Sequence, residues 1–306
     1  MKKFILSALV IASSMGIANA QNAAGFTSKN GHVVLPQEGD WSFGISASPL
    51  LQYAGNLFSG ANATNGAPAV ANANGPFIQQ LGANIGGVAF MGKYMKTATM
   101  AYKVRFQANV YSNTYNNYVA KSSATPNPLL PEFAEDQQVV NTAAFLLGGG
   151  IEKRRGSATR LQGIYGGEVL LGYSTNAESM SYGNAMDADY NAPTSTFFNT
   201  GGGVGGSGSQ SSRVIERELG STFFAGARGY VGVEYFIAPK ISLGAEVGYT
   251  LGVQLNGNQR TVSETFDAGT LQTVNVEAKT FRNQGITGFG MGLDNANAGV
   301  NLNFYF

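Results

Sequence analysis

A strict two-residue periodicity runs through several long segments of this chain, and it restricts those segments to sheet structure. Between residues 241 and 254 every odd position is apolar, as at Leu243, Val247 and Leu251. The even positions hold Ser, Gly, Thr and Gln with a single acid, Glu246. Successive side chains of a β-strand point to opposite faces, whereas a helical face repeats every 3.6 residues. The segment is therefore predicted to be one strand with one wholly apolar face.

The same alternation predicts eight strands along the chain. They cover residues 40–54, 77–95, 98–112, 138–153, 159–175, 217–238, 240–256 and 290–306. The parity slips near Gly86 and Gly87, which indicates a bulge or a glycine kink, and residues 139–151 are apolar on both faces. Residues 271–280 could add another hairpin, so ten strands remain an alternative to eight.

The length of these segments decides what kind of sheet they form. Strands of water-soluble proteins average about 5–6 residues, whereas a tilted strand that crosses a membrane needs about 9–11. Lipid cannot hydrogen-bond a free strand edge, so membrane strands must close into a barrel. The expected fold class is an all-β, antiparallel, up-and-down transmembrane β-barrel, and a soluble exported β-sandwich is the alternative.

The links between the predicted strands alternate between short and long. Turns of a few residues follow strands two, four and six, and long extracellular loops are expected at residues 55–76, 113–137, 176–216 and 257–289. The glycine run at residues 201–208 is predicted to be a flexible tract inside one of these loops. No glycine cluster follows a strand and opens a helix with a lysine behind it, so phosphate binding is not expected.

The first twenty residues have the three-part layout of a secretory signal peptide. Lys2 and Lys3 precede an apolar run, and a small-x-small cleavage site ends at Ala20. The run is too short to span a bilayer, and no cysteine follows it to carry a lipid. The expected domains are a signal peptide (1–20), a periplasmic N-terminal segment (21–39) and an outer-membrane barrel (40–306).

Composition excludes several chemistries. The chain has no cysteine, one histidine and a formal net charge of +1, which argues against thiol chemistry, zinc knuckles and nucleic-acid binding. The single histidine, His32, precedes the first strand and is expected to be an exposed or packing residue. No enzymatic activity, cofactor or metal site is expected. Acids in the predicted loops, Asp187, Asp189 and Asp294, leave calcium binding open.

The face opposite the apolar one carries charged residues in several of the predicted strands. With the apolar face toward lipid, six side chains point into the barrel lumen: Lys103, Arg105, Glu168, Arg228, Glu234 and Glu246. Unpaired charges would be costly there, so a compensating network is expected, with Arg228 against Glu234 or Glu246 and Arg105 against Glu168. Side chains fill the interior of an eight-stranded barrel, so a closed lumen is expected and a small passive channel is the alternative.

Aromatic residues near the strand ends are expected to lie at the two membrane interfaces. This set comprises Trp41, Tyr53, Tyr94, Tyr173, Tyr235 and Tyr305. The last strand alternates and ends with Phe304 and Phe306, which resembles the C-terminal signal that the outer-membrane assembly machinery reads.

The sequence as a whole resembles the small OmpA/OmpX-type outer-membrane barrels, and in particular the outer-membrane β-barrel proteins of Bacteroidetes. The segment at residues 234–242, EYFIAPKIS, carries this resemblance together with the terminal strand. The resemblance does not extend to the peptidoglycan-binding domain of OmpA, so peptidoglycan anchoring is not expected. The resemblance implies a bacterial outer-membrane protein whose partners are membrane lipid, the assembly machinery and a surface ligand held by the loops. It implies a structural or surface-interaction role, with an accessory subunit of a transport or secretion complex as a further alternative.

Overall fold

The computed structural model describes residues 26–46, 89–122, 129, 131–156, 159–280 and 286–306. The signal peptide, the expected loop at 55–76, the expected bulge at Gly86 and Gly87 and parts of the first two predicted strands lie outside these ranges. No helix in the described ranges is long and apolar enough to cross a membrane.

Thirteen strands are described. They are β1 (Trp41–Ser46), β2 (Ala89–Thr97), β3 (Met100–Ala120), β4 (Phe133–Arg155), β5 (Leu161–Ser181), β6 (Thr194–Phe198), β7 (Val204–Ser209), β8 (Ser212–Glu218), β9 (Thr222–Ala238), β10 (Ile241–Asn256), β11 (Gln259–Asp267), β12 (Gln272–Thr280) and β13 (Ile286–Tyr305). All the pairs they form are antiparallel, so the expectation of an all-β antiparallel fold is confirmed.

Eight of these strands close into a ring through main-chain pairing. The order around the ring is β5, β4, β3, β2, β1, β13, β10 and β9, and β9 pairs again with β5. The first and last ring strands meet at Trp41 and Phe306, whose backbone N–H groups each donate to the other residue's carbonyl, at 3.0 and 2.9 Å. The predicted count of eight agrees with this ring, and residues 271–280 contribute β12 outside it.

The ring puts its apolar face outward and its polar face inward. On β10, Leu243 and Leu251 are 40% and 47% exposed, whereas Ser242 and Glu246, at alternate positions, are 0% and 4% exposed. The same alternation follows β5 and β9, where outward positions such as Val169 and Val231 are exposed. This arrangement is the reverse of a water-soluble sheet protein, in which the apolar face is the buried one.

One end of the ring carries the short turns between β2 and β3, β4 and β5, and β9 and β10; we call it the turn end. Residues 26–40, the N-terminal cap, fold against this end. Val34 and Leu35 are 0% and 9% exposed and belong to one apolar cluster with Met95, Ala101, Phe236 and Tyr305. The described part of the predicted N-terminal segment therefore packs against the turn end of the ring.

Polar contacts fix the cap to the turn between β9 and β10. Lys240 sits in this turn with a φ of 58°, and its backbone N–H donates to the Val34 carbonyl at 3.0 Å. Its ammonium group lies 2.8 Å from the Asp40 carboxylate. The cap is thus held by both an apolar contact and an ion pair.

At the opposite end, which we call the outer end, the chain forms more strand than the sequence predicted. The expectation of loops at 113–137, 176–216 and 257–289 is wrong over most of their length. The β3–β4 ladder continues without a break to the pair Ala120–Phe133. β8 continues the sheet beyond the end of β9, pairing with β5, and β11 and β12 follow it. These segments are polar and rich in glycine, and for that reason they were predicted to be loops. They form strands that pair with one another beyond the part of the ring that has an apolar outer face.

The glycine run at 201–208 is not a flexible tract but part of the β6–β7 hairpin. Gly201, Gly202 and Gly203 form its turn with φ values of 85°, 108° and 108°. A side chain at Gly202 would meet the Tyr115 ring at 2.4 Å, so the hairpin also needs glycine for close approach.

Glycines on the inner face make room in a narrow interior. A Cβ atom added to Gly150 would meet the Gly167 carbonyl oxygen at 2.0 Å and the Glu168 Cα at 2.7 Å. A Cβ atom at Gly229, on the outer face, would meet nothing within 4 Å. Replacing glycine by alanine changes the strand propensity at both positions, but it creates a steric clash only at Gly150. Comparing the two positions therefore isolates the steric effect.

We expect Gly150→Ala to lower the free energy of unfolding by about 1–3 kcal/mol, because backbone atoms of β5 cannot yield to the new methyl group. Gly229→Ala serves as the matched control and should be neutral or slightly stabilising. Urea unfolding of the detergent-solubilised protein measures both. Equal midpoints for the two variants would contradict the close packing of β4 against β5.

Candidate functional site

The middle of the ring interior holds a set of charged side chains that we call the central cluster. Its members are Lys103, Arg105, Glu168, Arg228 and Glu246, which project inward from β3, β5, β9 and β10. The Lys103 ammonium lies 2.8 Å from both carboxylates. The Arg228 guanidinium lies 3.2 Å from Glu246 and 3.5 Å from Glu168, and Arg105 also contacts both acids.

Tyr230 lies against the cations of the central cluster. Its ring centroid is 4.0 Å from the Lys103 Nζ and 4.9 Å from the Arg228 Cζ, which places both cations over the negative face of the ring. The Tyr230 hydroxyl donates a hydrogen bond to Glu152 at 3.2 Å. This residue therefore connects the central cluster to a second set of charges nearer the turn end.

That second set, the turn-end cluster, comprises Lys93, Glu152, Arg154 and Glu234. The Lys93 ammonium is 2.8 Å from Glu152, and Arg154 is 2.7 Å from Glu234 and 3.1 Å from Glu152. All four side chains are at most 4% exposed. Two cations face two carboxylates, so the cluster is balanced.

Neutral donors complete the shell around Glu234. Its carboxylate accepts hydrogen bonds from the Tyr305 hydroxyl at 2.8 Å, from the Asn303 amide at 3.0 Å and from the Ser242 hydroxyl. Arg154 also donates to the Tyr305 oxygen. These donors come from β10 and β13, so the cluster ties the end of the chain to β4 and β9.

The structure divides the six predicted lumenal residues between the two clusters. Lys103, Arg105, Glu168, Arg228 and Glu246 meet, and they include the Arg228–Glu246 and Arg105–Glu168 contacts. Glu234 does not join them. It lies nearer the turn end, where Lys93 and Arg154 hold it. The expectation of three cations against three anions in one network is wrong: the central cluster has three cations and two carboxylates among the side chains that the structure describes.

Sequence reasoning missed Lys93, Glu152 and Arg154 because the alternation is obscured around them. Lys93 lies in the segment whose parity slips, and Glu152 and Arg154 directly follow the segment that is apolar on both faces. The cause of that double apolarity is an apolar block inside the ring, where Ala144 and Leu146 pack with Leu170 and Phe224.

Above this apolar block, the β6–β7 hairpin folds into the outer end of the sheet; we call it the hairpin plug. The Asp136 carboxylate is fully buried and accepts from the Thr196 N–H and hydroxyl at 2.7 and 2.8 Å. The Glu178 carboxylate accepts from the Gly201 N–H at 2.6 Å, and Gln138 bonds both Asn199 and Gly203. Inward polar groups of β4 and β5 thus bind the backbone of the hairpin.

Arg213 of β8 holds the other side of the plug. Its guanidinium donates to the Ser195 hydroxyl and the Asn184 carbonyl, both at 2.7 Å, and pairs with Glu264. It lies 4.4 Å from the Tyr182 ring centroid. Burial raises the pKa of Tyr182 to about 12, so its hydroxyl stays protonated at neutral pH and donates to the Val214 carbonyl at 2.8 Å.

The charged groups of the two clusters pair with one another. Each carboxylate of the central and turn-end clusters contacts at least one cation. No group of three histidine or acidic residues suited to a metal ion occurs in the part of the chain that the structure describes. His32 is exposed, and its backbone N–H donates to the Ser28 hydroxyl. Asp187 is exposed and closes a turn by accepting from the backbone of Asp189 and Tyr190.

The predicted interface aromatics lie at both ends of the outward face, with one exception. Trp41 is 58% exposed and its ring centroid lies 4.8 Å from that of Tyr94. Tyr235 is near the turn end and Tyr173 near the outer end, and both are exposed. The prediction for Tyr305 is wrong, because it shares the inward parity of Asn303 and bonds Glu234. Tyr53 and the side chain of Asp294 lie outside the described residues.

The two residues of the predicted assembly signal point away from the interior. Phe304 is 39% exposed and Phe306 is 70% exposed. They flank the buried Tyr305, as the alternation of the last strand requires.

No protein-family model matches this chain, and no curated protein is significantly similar to it.

We expect Glu246→Gln to lower the free energy of unfolding by about 3 kcal/mol, because it leaves Lys103, Arg105 and Arg228 with Glu168 as their only described carboxylate partner. Glu132→Gln is the matched control. Glu132 pairs with Lys121 at 2.7 Å but is 69% exposed, so its replacement should change stability little. Chemical unfolding in detergent compares the two. A small effect at Glu246 would contradict a tightly compensated cluster.

We expect Asp136→Ala to release the hairpin plug, because it removes three hydrogen bonds made by Gly183 and Thr196. Limited proteolysis should then cut between residues 199 and 212 at least about tenfold faster, since exposed glycine-rich chain is readily cleaved once it opens. Asp189→Ala, at an exposed turn, should leave the cleavage rate unchanged. Equal rates in the two variants would show that Asp136 does not hold the plug.

Proposed function

We propose that the chain is a transmembrane β-barrel of a bacterial outer membrane, without enzymatic activity, that presents a folded sheet at the cell surface. The observation that carries this proposal is the inverted ring, with an apolar outer face and buried ions inside. A single closed sheet cannot bury its outer face against itself, so a continuous apolar exterior calls for an apolar surrounding. A lipid bilayer supplies it.

The height of the apolar exterior fits a bilayer. On β5 the outward side chains from Leu161 to Tyr173 are apolar or glycine throughout. This stretch corresponds to about 30 Å along the barrel axis, from a rise of about 3.3 Å per residue and a tilt of about 40°. Trp41, Tyr94 and Tyr235 lie near its lower edge and Tyr173 at its upper edge, where amphipathic rings favour headgroups.

Other features of the sequence support export and insertion. The first twenty residues have the composition of a cleaved signal peptide, and the last strand ends in the outward pair Phe304 and Phe306. These features would bring the chain to the secretory pathway and to the outer-membrane assembly machinery. In this orientation the cap faces the periplasm and the hairpin plug faces the outside.

The interior favours a closed barrel over a porin. Along its axis the interior contains the cap, the turn-end cluster, the central cluster, the apolar block and the hairpin plug in succession. Ions crossing it would have to displace Leu146, Leu170 and Phe224, which are at most 2% exposed. A structural or surface-interaction role is therefore preferred over transport.

We expect the folded protein to migrate faster than the boiled protein on SDS gels, because a closed barrel resists SDS until it is heated. Carbonate washing of membranes should leave it in the pellet. Release by carbonate without detergent would contradict membrane insertion and favour an exported soluble sheet protein.

We also expect no discrete conductance steps when the refolded protein is inserted into planar bilayers, because the interior is filled. Insertion is verified on the same sample by protection of the barrel from protease. Regular single-channel steps at neutral pH would contradict the closed interior and favour the channel alternative.

A further inference from the structure

At the outer end, β8, β11 and β12 continue the sheet away from the ring. β12 is the last strand of this extension and has a partner on one side only. It pairs with β11 over nine residues, from Gln272–Asp267 to Thr280–Gln259, without a register shift. Among the described residues no strand pairs with its other edge. A free edge presents a row of backbone donors and acceptors that can bind another strand.

This edge lacks two of the features that usually prevent such pairing, proline and a β-bulge. β12 contains no proline, and its ladder with β11 contains no bulge. Val274 and Val276 are 38% and 49% exposed on one face, and Leu271 beside the strand is 63% exposed. The opposite face carries Glu277 and Lys279, which give it both signs of charge.

We propose that β12 binds β12 of a second copy of this chain in antiparallel register centred on Val276. The proposal rests on the surface role proposed above and names the partner. In this register Val276 lies opposite itself and Val274 lies opposite Ala278 of the copy, which joins the two apolar faces. Asn275 lies opposite Glu277, and Thr273 lies opposite Lys279. All nine residues pair, and no like charges meet directly.

Charge disfavours one neighbouring register, and strand length disfavours the other. Centring the pair on Glu277 would place Glu277 directly opposite Glu277 of the copy, which is unfavourable across a strand pair. Centring it on Asn275 would pair only residues 272–278, seven of the nine residues of the strand. An isologous contact of this kind is self-complementary and closes at two copies. The pairing would join the two β8–β11–β12 units edge to edge through six consecutive strands, each unit continuing into its own ring through the pairing of β8 with β5.

The direction of β12 determines how the two copies face each other. β11 leaves the ring directly after β10 ends at Asn256, and β12 returns toward it. Antiparallel pairing of two β12 strands therefore places the two rings at opposite ends of the shared sheet. For membrane barrels this geometry joins two facing membranes rather than two barrels in one membrane.

Charge substitution at Val276 tests the register, because this residue is its own partner. Val276→Lys and Val276→Glu each place like charges opposite one another, and each should weaken self-association at least about tenfold. An equimolar mixture of the two variants should restore it. Val204→Lys, at a valine of β7 with 42% exposure, is the matched control and should associate as the unsubstituted protein does.

Self-association is measured by light scattering in detergent on samples that first show the heat-dependent gel shift. Clustering of phosphatidylethanolamine–phosphatidylglycerol vesicles that carry the protein tests the facing arrangement. Vesicles with Val276→Lys should cluster only with vesicles that carry Val276→Glu. A monomer at all concentrations, undiminished association of either variant, or a mixture that fails to recover would overturn the proposal. Loss of the gel shift would instead overturn the barrel.

Discussion

The structure depends on ion pairs between charged side chains that are buried inside the ring, away from water. Lys103 is 1% exposed and Glu234 is 0% exposed, so each must find its opposite charge among the neighbouring strands. Because the contacts join β3 to β5 and β10, and β4 to β9, they connect strands that are not adjacent in the ring. The ring is thereby held across its interior as well as around its circumference.

Such clusters need not be the most stabilising way to fill a core, since an apolar core of equal volume is often as stable. Their value here is geometric. A shift of one strand by one residue would turn Glu168 or Arg228 outward and leave its partners uncompensated. A wrong register is therefore strongly destabilised by the loss of ion pairs. The outward leucines and valines, in contrast, would tolerate a small shift of a strand along the ring axis. The polar interior thus specifies the strand register, and the apolar exterior forms the outer surface of the ring.

The sequence predicted the parts of the fold in which alternation is clean. Strands such as β5, β9 and β10 follow a period of two, and the direction of each side chain follows from it. Three members of the turn-end cluster, Lys93, Glu152 and Arg154, escaped prediction because the alternation is obscured near them. In β4 the cause is the apolar block around Leu146. The strands at the outer end escaped prediction because Asn, Ser and Gly favour turns and are depleted in strands, so their abundance there predicted loops. Which distant charges pair depends on how far each strand is shifted along the ring axis, and the alternation pattern does not predict that shift.

The N-terminal cap imposes an order on folding. Its apolar pocket is made by Met95, Ala101, Phe236 and Tyr305, which come from strands at the beginning and the end of the chain. These strands come together only through the pairing of β1 with β13, which joins the first and last strands of the ring. The cap therefore has a complete binding surface only after the two ends of the chain have met, and its packing reports on that junction.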